Sequence, residues 1–115
     1  MTLGSLFDGI GGFPLAASRV GIVPAWASEI DKDCIVVTAK HFPDMVQLGD
    51  IKQLDGSELE PVDIITGGSP CQDLSVAGDR AGLSGGRSGL FHEMVRVIRK
   101  MRNGAGKPRY VLWEN

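Results

Sequence analysis

The sequence predicts an α/β fold with a doubly wound parallel sheet, and three observations carry that prediction. Short apolar runs alternate with stretches of helical spacing along all 115 residues, the pattern of strands joined by crossover helices. Each apolar run closes on a polar or glycine-rich cluster, and sheets of this class bind ligands just beyond the carboxyl ends of their strands. Glycine is in excess, 16 residues against 6 prolines, with neither the period of collagen nor the uniformity of a linker. These glycines therefore have local work to do.

In chain order, residues 3–7 form a strand ended by Asp8-Gly9-Ile10-Gly11-Gly12, and residues 13–20 continue as a helix with Pro14 in its first turn, where a missing N–H costs little. Residues 22–28 read as a second strand closing on Glu29-Ile30-Asp31. A second helix covers residues 33–41, capped by Asp31 or Asp33 and stopped by Pro43. A short third strand at 45–48 ends at Gly49-Asp50-Ile51 and gives way to a polar stretch through Glu60. The fourth strand, 62–66, runs into Gly67-Gly68-Ser69-Pro70-Cys71-Gln72. Residues 73–89 have no period and hold five glycines, the composition of a long functional loop. Leu90, Met94, Val95, Ile98 and Met101 recur at helical spacing within 87–102, and residues 110–113 are a fifth strand finishing at Glu114-Asn115. Trp26 and Trp113 lie inside strands and read as packing residues.

Several classes are excluded. No apolar run approaches the ~18 residues of a membrane span, and no basic-then-apolar leader is visible, so a cytoplasmic protein with no membrane partner is expected. The two cysteines, Cys34 and Cys71, share no spacing that suits a disulfide or a metal. Both read as free thiols, Cys34 in the core, and no metal site is expected. His41 and His92 read as surface residues. The net charge of -2 hides a split: residues 1–79 hold four basic against twelve acidic side chains, and residues 80–115 hold eight basic against Glu93 and Glu114. The basic third suits either an anionic partner or a solvated helix face.

The polar strand ends point to chemistry. The glycine loop lets the backbone turn sharply and present amides to a ligand, and Glu29 follows Gly9 by about 20 residues, the spacing of a carboxylate that binds ribose hydroxyls. Pro14 and Gly12 break the dinucleotide fingerprint, so an adenosine cofactor without a pyrophosphate suits the loop as well as NAD does. The blander alternative is a tight turn with a capping carboxylate. Asp50 is able to accept from an adenine amino group. Cys71, between Pro70 and Gln72, has the small neighbours that expose a nucleophilic sulfur, with Arg87 a candidate cation to favour the thiolate. The bland alternative there is an inert thiol. Glu114 falls on the same edge and suits a general acid or a hydrogen-bond partner to a substrate ring, steadied by Asn115.

Taken together, the blocks SLFDGIGGFPLA (5–16), SEID (28–31), GDI (49–51), GGSPCQDLS (67–75), RSGLF (87–91) and WEN (113–115) resemble the cytosine-C5 DNA methyltransferases of bacterial and phage type, often found in restriction-modification systems. The resemblance implies a Rossmann-like methyltransferase fold. It implies an S-adenosyl-L-methionine site drawn from Phe7, Asp8, Gly9, Gly11, Gly12, Glu29, Ile30, Asp50, Ile51 and Pro70. By the same resemblance Cys71 is the nucleophile that adds to C6 of a flipped-out cytosine, with Glu114 and Arg87 also catalytic. Ser75, Arg80 and Arg87 would contact double-stranded DNA, and Leu74 departs from an aromatic preference nearby. The family's later motifs and its target-recognition domain are not in this sequence, so residues 1–115 are expected to be the N-terminal part of a catalytic domain, completed in cis or by a second chain. RNA cytosine-C5 methylation and non-catalytic cofactor binding are the alternatives.

Overall fold

The structure is a computed structural model that describes residues 1–68 and 89–114. Five strands, β1 (Thr2–Leu6), β2 (Val23–Ser28), β3 (Val46–Gln47), β4 (Ile64–Gly67) and β5 (Tyr110–Trp113), alternate with helices α1 (Gly12–Arg19), α2 (Lys32–His41) and α3 (Gly89–Ala105). All strand pairs are parallel, in the order β3-β2-β1-β4-β5. The chain winds outward from β1 through β2 to β3 and then returns to the other side of β1, so the switch point lies between β1 and β4. This is the predicted fold class.

The register places the site. Leu6 pairs with Ser28 on one side and Gly67 on the other, and Gly67 pairs with Trp113. The last residues of four strands thus form one row, and the residues that follow them emerge along one edge. The opposite edge is stapled by Asp63, whose Oδ2 accepts from Thr2 N at 2.8 Å and whose backbone carbonyl accepts from Tyr110 N at 3.1 Å.

Burial is uneven between the two faces. The core gathers Leu6, Trp26, Val62 and Ile65 of the sheet region with Ile51 and Leu54 and with Met94, Val97 and Met101 of α3. Those three α3 residues recur at intervals of three and four, the stripe of a helix with one buried face. By contrast α2 buries only Thr38.

Three expectations need correction. Cys34 is half-buried rather than a core residue, because it stands in the first turn of α2, one turn short of Thr38. Its thiol is pushed above its ordinary range by desolvation and then by the charges of Asp31 and Glu29. The polar stretch after Asp50 holds a 3₁₀ turn at Ile51–Gln53, and α3 runs on to Ala105, three residues beyond its predicted end.

Candidate functional site

The turn after β1 is built from left-handed backbone. Phe7 has φ 52°, Gly9 62° and Gly11 91°, conformations that glycine adopts freely and phenylalanine does not. A strained non-glycine residue at a strand end is the kind of feature that clusters at functional sites. The turn is held from both sides. Asp8 N donates to Ser28 O at 3.1 Å and Gly11 N to Asp8 O at 3.2 Å.

Glu29, one residue beyond β2, is the centre of this arrangement. Its Oε1 accepts from Gly9 N at 2.7 Å, and its Oε2 accepts from Ile30 N at 3.0 Å and Asp31 N at 2.8 Å. A carboxylate offers about four acceptor positions, so three are used by the protein itself. A ribose diol at this carboxylate would have to take the remaining position and compete with an amide for another. Gln47 supports the same corner, its Oε1 accepting from Glu29 N and Gly49 N, both at 3.1 Å.

Two clefts open along the strand-end row, and both are lined by Phe7 and Gly68. The first, about 320 Å³, adds Glu29, Ile30, Asp50 and Ile51, all of them sequence-predicted site residues. Ile30 is 70% exposed, an apolar side chain left open to this space. Asp50 caps the 3₁₀ turn through Oδ1, which accepts from Lys52 N at 2.9 Å. Sequence reasoning missed Ser28, Lys52 and Leu90 as further walls; Ser28 ends β2, Lys52 follows Ile51 and Leu90 falls within the block 87–91, and those places were the available signal. The second cleft, about 380 Å³, is lined by Asp8, Gly12, Phe13, Ala16 and Glu114. A Cβ on Gly68 would stand 3.2 Å from Glu114 Oε2, so the absence of a side chain lets this carboxylate lie against the end of β4.

Asp8 is the most perturbed group. It is 6% exposed, Ser5 Oγ donates to its Oδ1 at 2.6 Å, and its buried Oδ2 has no partner. Burial pushes its carboxyl up to about 6, the Ser5 bond opposes this, and the Glu29 charge adds to it.

Not every predicted residue lands in a cleft. Gly11 is buried against α2, where a Cβ would meet Thr38 Cγ2 at 3.1 Å. Gly9 reaches the site through its bond to Glu29. Pro70, Cys71, Ser75, Arg80 and Arg87 lie outside the described residues. The basic third is partly spent inside the chain: Arg96 bonds Glu93 and two backbone carbonyls, Arg102 donates to Pro108 O, and Lys100 and Lys107 pair with Asp55 and Asp63. Among the described residues no group of His, Cys, Asp and Glu is arranged to hold a metal ion, and no helix is long and apolar enough to cross a membrane.

The comparisons agree with this architecture. The Type II methyltransferase M2.BsuMI of Bacillus subtilis (strain 168) is 37% identical over 115 residues, covering 100% of this chain and 29% of the relative. The orphan methyltransferase M.Rho11sI of Bacillus phage rho11s is 37% identical over 115 residues, covering 96% of this chain and 22% of the relative. The chain therefore spans less than a third of the length of either. Among solved structures, the S. pombe Dnmt2 methyltransferase superimposes with a TM-score of 0.73 at 20% identity, over 98% of this chain and 35% of that one, a likeness of fold. The family model for C-5 cytosine-specific DNA methylases matches residues 1–115, and the chain belongs to that family.

Proposed function

We propose that the chain carries the cofactor site and the nucleophile of a DNA cytosine-5 methyltransferase that uses S-adenosylmethionine. The observation that carries this reading is the row of strand ends, which gathers Glu29 and Asp50 on one cleft and Asp8 and Glu114 on the next. Cys71 follows Gly68 by three residues in sequence.

The cleft residues fit the cofactor. A volume of about 320 Å³ lies in the range of small-molecule sites. Its carboxylates suit a diol and an amino group, and an acidic lining suits a sulfonium. Glu29 holds the ribose, Asp50 and Ile51 flank the adenine, Ile30 covers its face and Phe7 adds to the wall; Asp8 and Gly12 line the adjoining cleft, Gly9 and Gly11 shape the turn between them, and Pro70 is assigned to the cofactor by the resemblance alone. When bound, S-adenosylmethionine supplies an electrophilic methyl group.

The chain's own groups then prepare the acceptor. Cytosine C5 is a weak nucleophile, so the Cys71 thiolate forms a bond to C6 and pushes the C5–C6 π pair toward C5. Arg87 favours the thiolate. Glu114 hydrogen-bonds the ring at N3 and at the exocyclic amine, stabilising the charge that addition puts on the ring. After methylation a base from solvent takes the C5 proton, and the C–H pair re-forms the C5–C6 double bond as the Cys71 thiolate is expelled. C6 is out of reach in a duplex, so the base is flipped out, with Ser75, Arg80 and Arg87 on the DNA. The target-reading part and the rest of the pocket come from further polypeptide, in cis or from a second chain. The setting is a restriction-modification system in the cytoplasm.

The test is covalent capture. DNA carrying 5-fluorocytosine, incubated with the completed protein and cofactor, is expected to yield an adduct that survives denaturation and is lost in Cys71→Ser. An adduct retained by that variant overturns the mechanism. Labelled methyl appearing in tRNA and not in DNA would assign an RNA substrate, and calorimetric preference for NAD over S-adenosylmethionine would overturn the cofactor.

A further inference from the structure

The wall of the first cleft that holds Asp50 and Ile51 has little support of its own. It is a single 3₁₀ turn at Ile51–Gln53, closed by Gln53 N to Asp50 O and Leu54 N to Ile51 O at 3.0 and 3.1 Å. One turn of this kind is marginal without tertiary contacts. Ile51 and Leu54 bury their side chains in the core, and the polar contacts to the turn come from α3. Arg96 donates through Nη1 to Leu54 O at 2.6 Å and through Nη2 to Ile51 O at 3.0 Å, while its Nε donates to Glu93 Oε2. The guanidinium is a planar fork, so two nitrogens on two carbonyls three residues apart fix the orientation of the turn as well as its distance. Glu93 fixes the fork in turn.

A second observation puts the same segment against the same helix. A Cβ on Gly56 would lie 2.0 Å from Val97 O, so the chain just past the turn rests on the α3 backbone itself. Leu90, on the first turn of α3, lines the same cleft as Asp50 and Ile51. One helix therefore provides one wall by contact and holds the other wall by hydrogen bonds.

We propose that Arg96 is a positioning residue for the purine end of the cleft: by clamping the carbonyls of Ile51 and Leu54 it sets where the Asp50 carboxylate stands, and so sets the selectivity for a purine with an exocyclic amino group. This inference rests on the reading of the cleft as an adenosyl site. Arg96 touches no ligand and acts through the turn alone.

The experiment compares S-adenosylhomocysteine with its inosyl counterpart, in which a carbonyl replaces the amino group, by titration calorimetry on the full chain. The wild type is expected to prefer the adenosyl ligand. In Arg96→Gln that preference falls about tenfold or more, the worth of one hydrogen bond to a charged group, mostly by loss of adenosyl affinity. Arg96→Lys keeps the charge but cannot span both carbonyls, so it retains the fold and shows an intermediate preference. Either variant melting lower yet keeping the wild-type preference overturns the proposal and leaves Arg96 a structural staple. Equal wild-type binding of both ligands also overturns it. Failure of the wild type to bind either ligand strikes instead at the adenosyl reading.

Discussion

Asp8 is a carboxyl group kept from water beside the carboxylate of Glu29, and the protein carries it at a cost. With its carboxyl pushed up to about 6 from an ordinary 3.8, the folded chain holds a proton there that the unfolded chain releases. Folding is thus favoured by this group below about pH 4, and the advantage disappears as pH rises through 6. Asp8→Asn keeps the shape and the Ser5 contact without the charge. It is expected to raise stability at pH 7.5 by about 3 kcal/mol, an order-of-magnitude figure from the size of the shift, and to leave it unchanged at pH 4. Urea melts at the two pH values check this, and a gain of equal size at both refutes the assignment. Gly12 gives the complementary case. A Cβ there meets nothing within 4 Å and its place opens the second cleft, so Gly12→Ala is expected to leave stability within about 1 kcal/mol of wild type while weakening S-adenosylhomocysteine binding in calorimetry. The strand-end carboxylates were legible in the sequence because each follows an apolar run. The three amides gathered on Glu29 were not, since they depend on a left-handed turn that no pattern of residue types spells out. Cys34 misled for a similar reason: apolar neighbours suggested burial, but its helix buries little beyond Thr38.

At the scale of elements, α3 shows how much one helix decides. Its apolar spacing was readable, and so were all five strands to within a residue or two. The turn at Ile51–Gln53 was not, because three residues carry no period and the turn is held by tertiary contacts, the burial of Ile51 and Leu54 and the Arg96 hydrogen bonds. Gly56 is the sharpest probe of this junction. A methyl group there would stand 2.0 Å from a backbone oxygen that cannot rotate away, so the segment or the helix must shift. Gly56→Ala is expected to cost about 3 kcal/mol, at the upper end of overpacking, and to weaken adenosyl ligands along with it. Denaturant melts and calorimetry on the same preparation check both effects. At the other end of the sheet, Asp31 caps α2 by accepting from Asp33 N at 2.9 Å and Cys34 N at 3.1 Å. Asp31→Ala is expected to cost about 1 kcal/mol, with ligand binding retained, since Glu29 rather than Asp31 lines the cleft.

The whole molecule is an open sheet whose two flanks differ. β3 at one edge is two residues long, too short to template another strand. β5 at the other edge is four residues long, and Tyr110, Val111 and Leu112 are 54%, 49% and 52% exposed. Among the described residues nothing pairs with its outer side, where a row of N–H and C=O groups stands beside apolar side chains. Such an edge recruits another strand unless a charge or a proline blocks it, and here the nearest charges, Arg109 and Glu114, flank the strand without interrupting it. The order β3-β2-β1-β4-β5 thus delivers the site at the switch point and leaves one flank ready to be covered. The 115-residue chain is therefore expected to self-associate through β5, with its sedimentation coefficient rising as concentration rises. Val111→Lys places a charge on the exposed face at the centre of the strand and should hold the chain monomeric without lowering its melting temperature, because that side chain is half in water already. A polypeptide that lays further structure against β5 should show no such concentration dependence. A wild-type chain that stays monomeric across the series would mean that this edge is protected by some feature other than strand pairing.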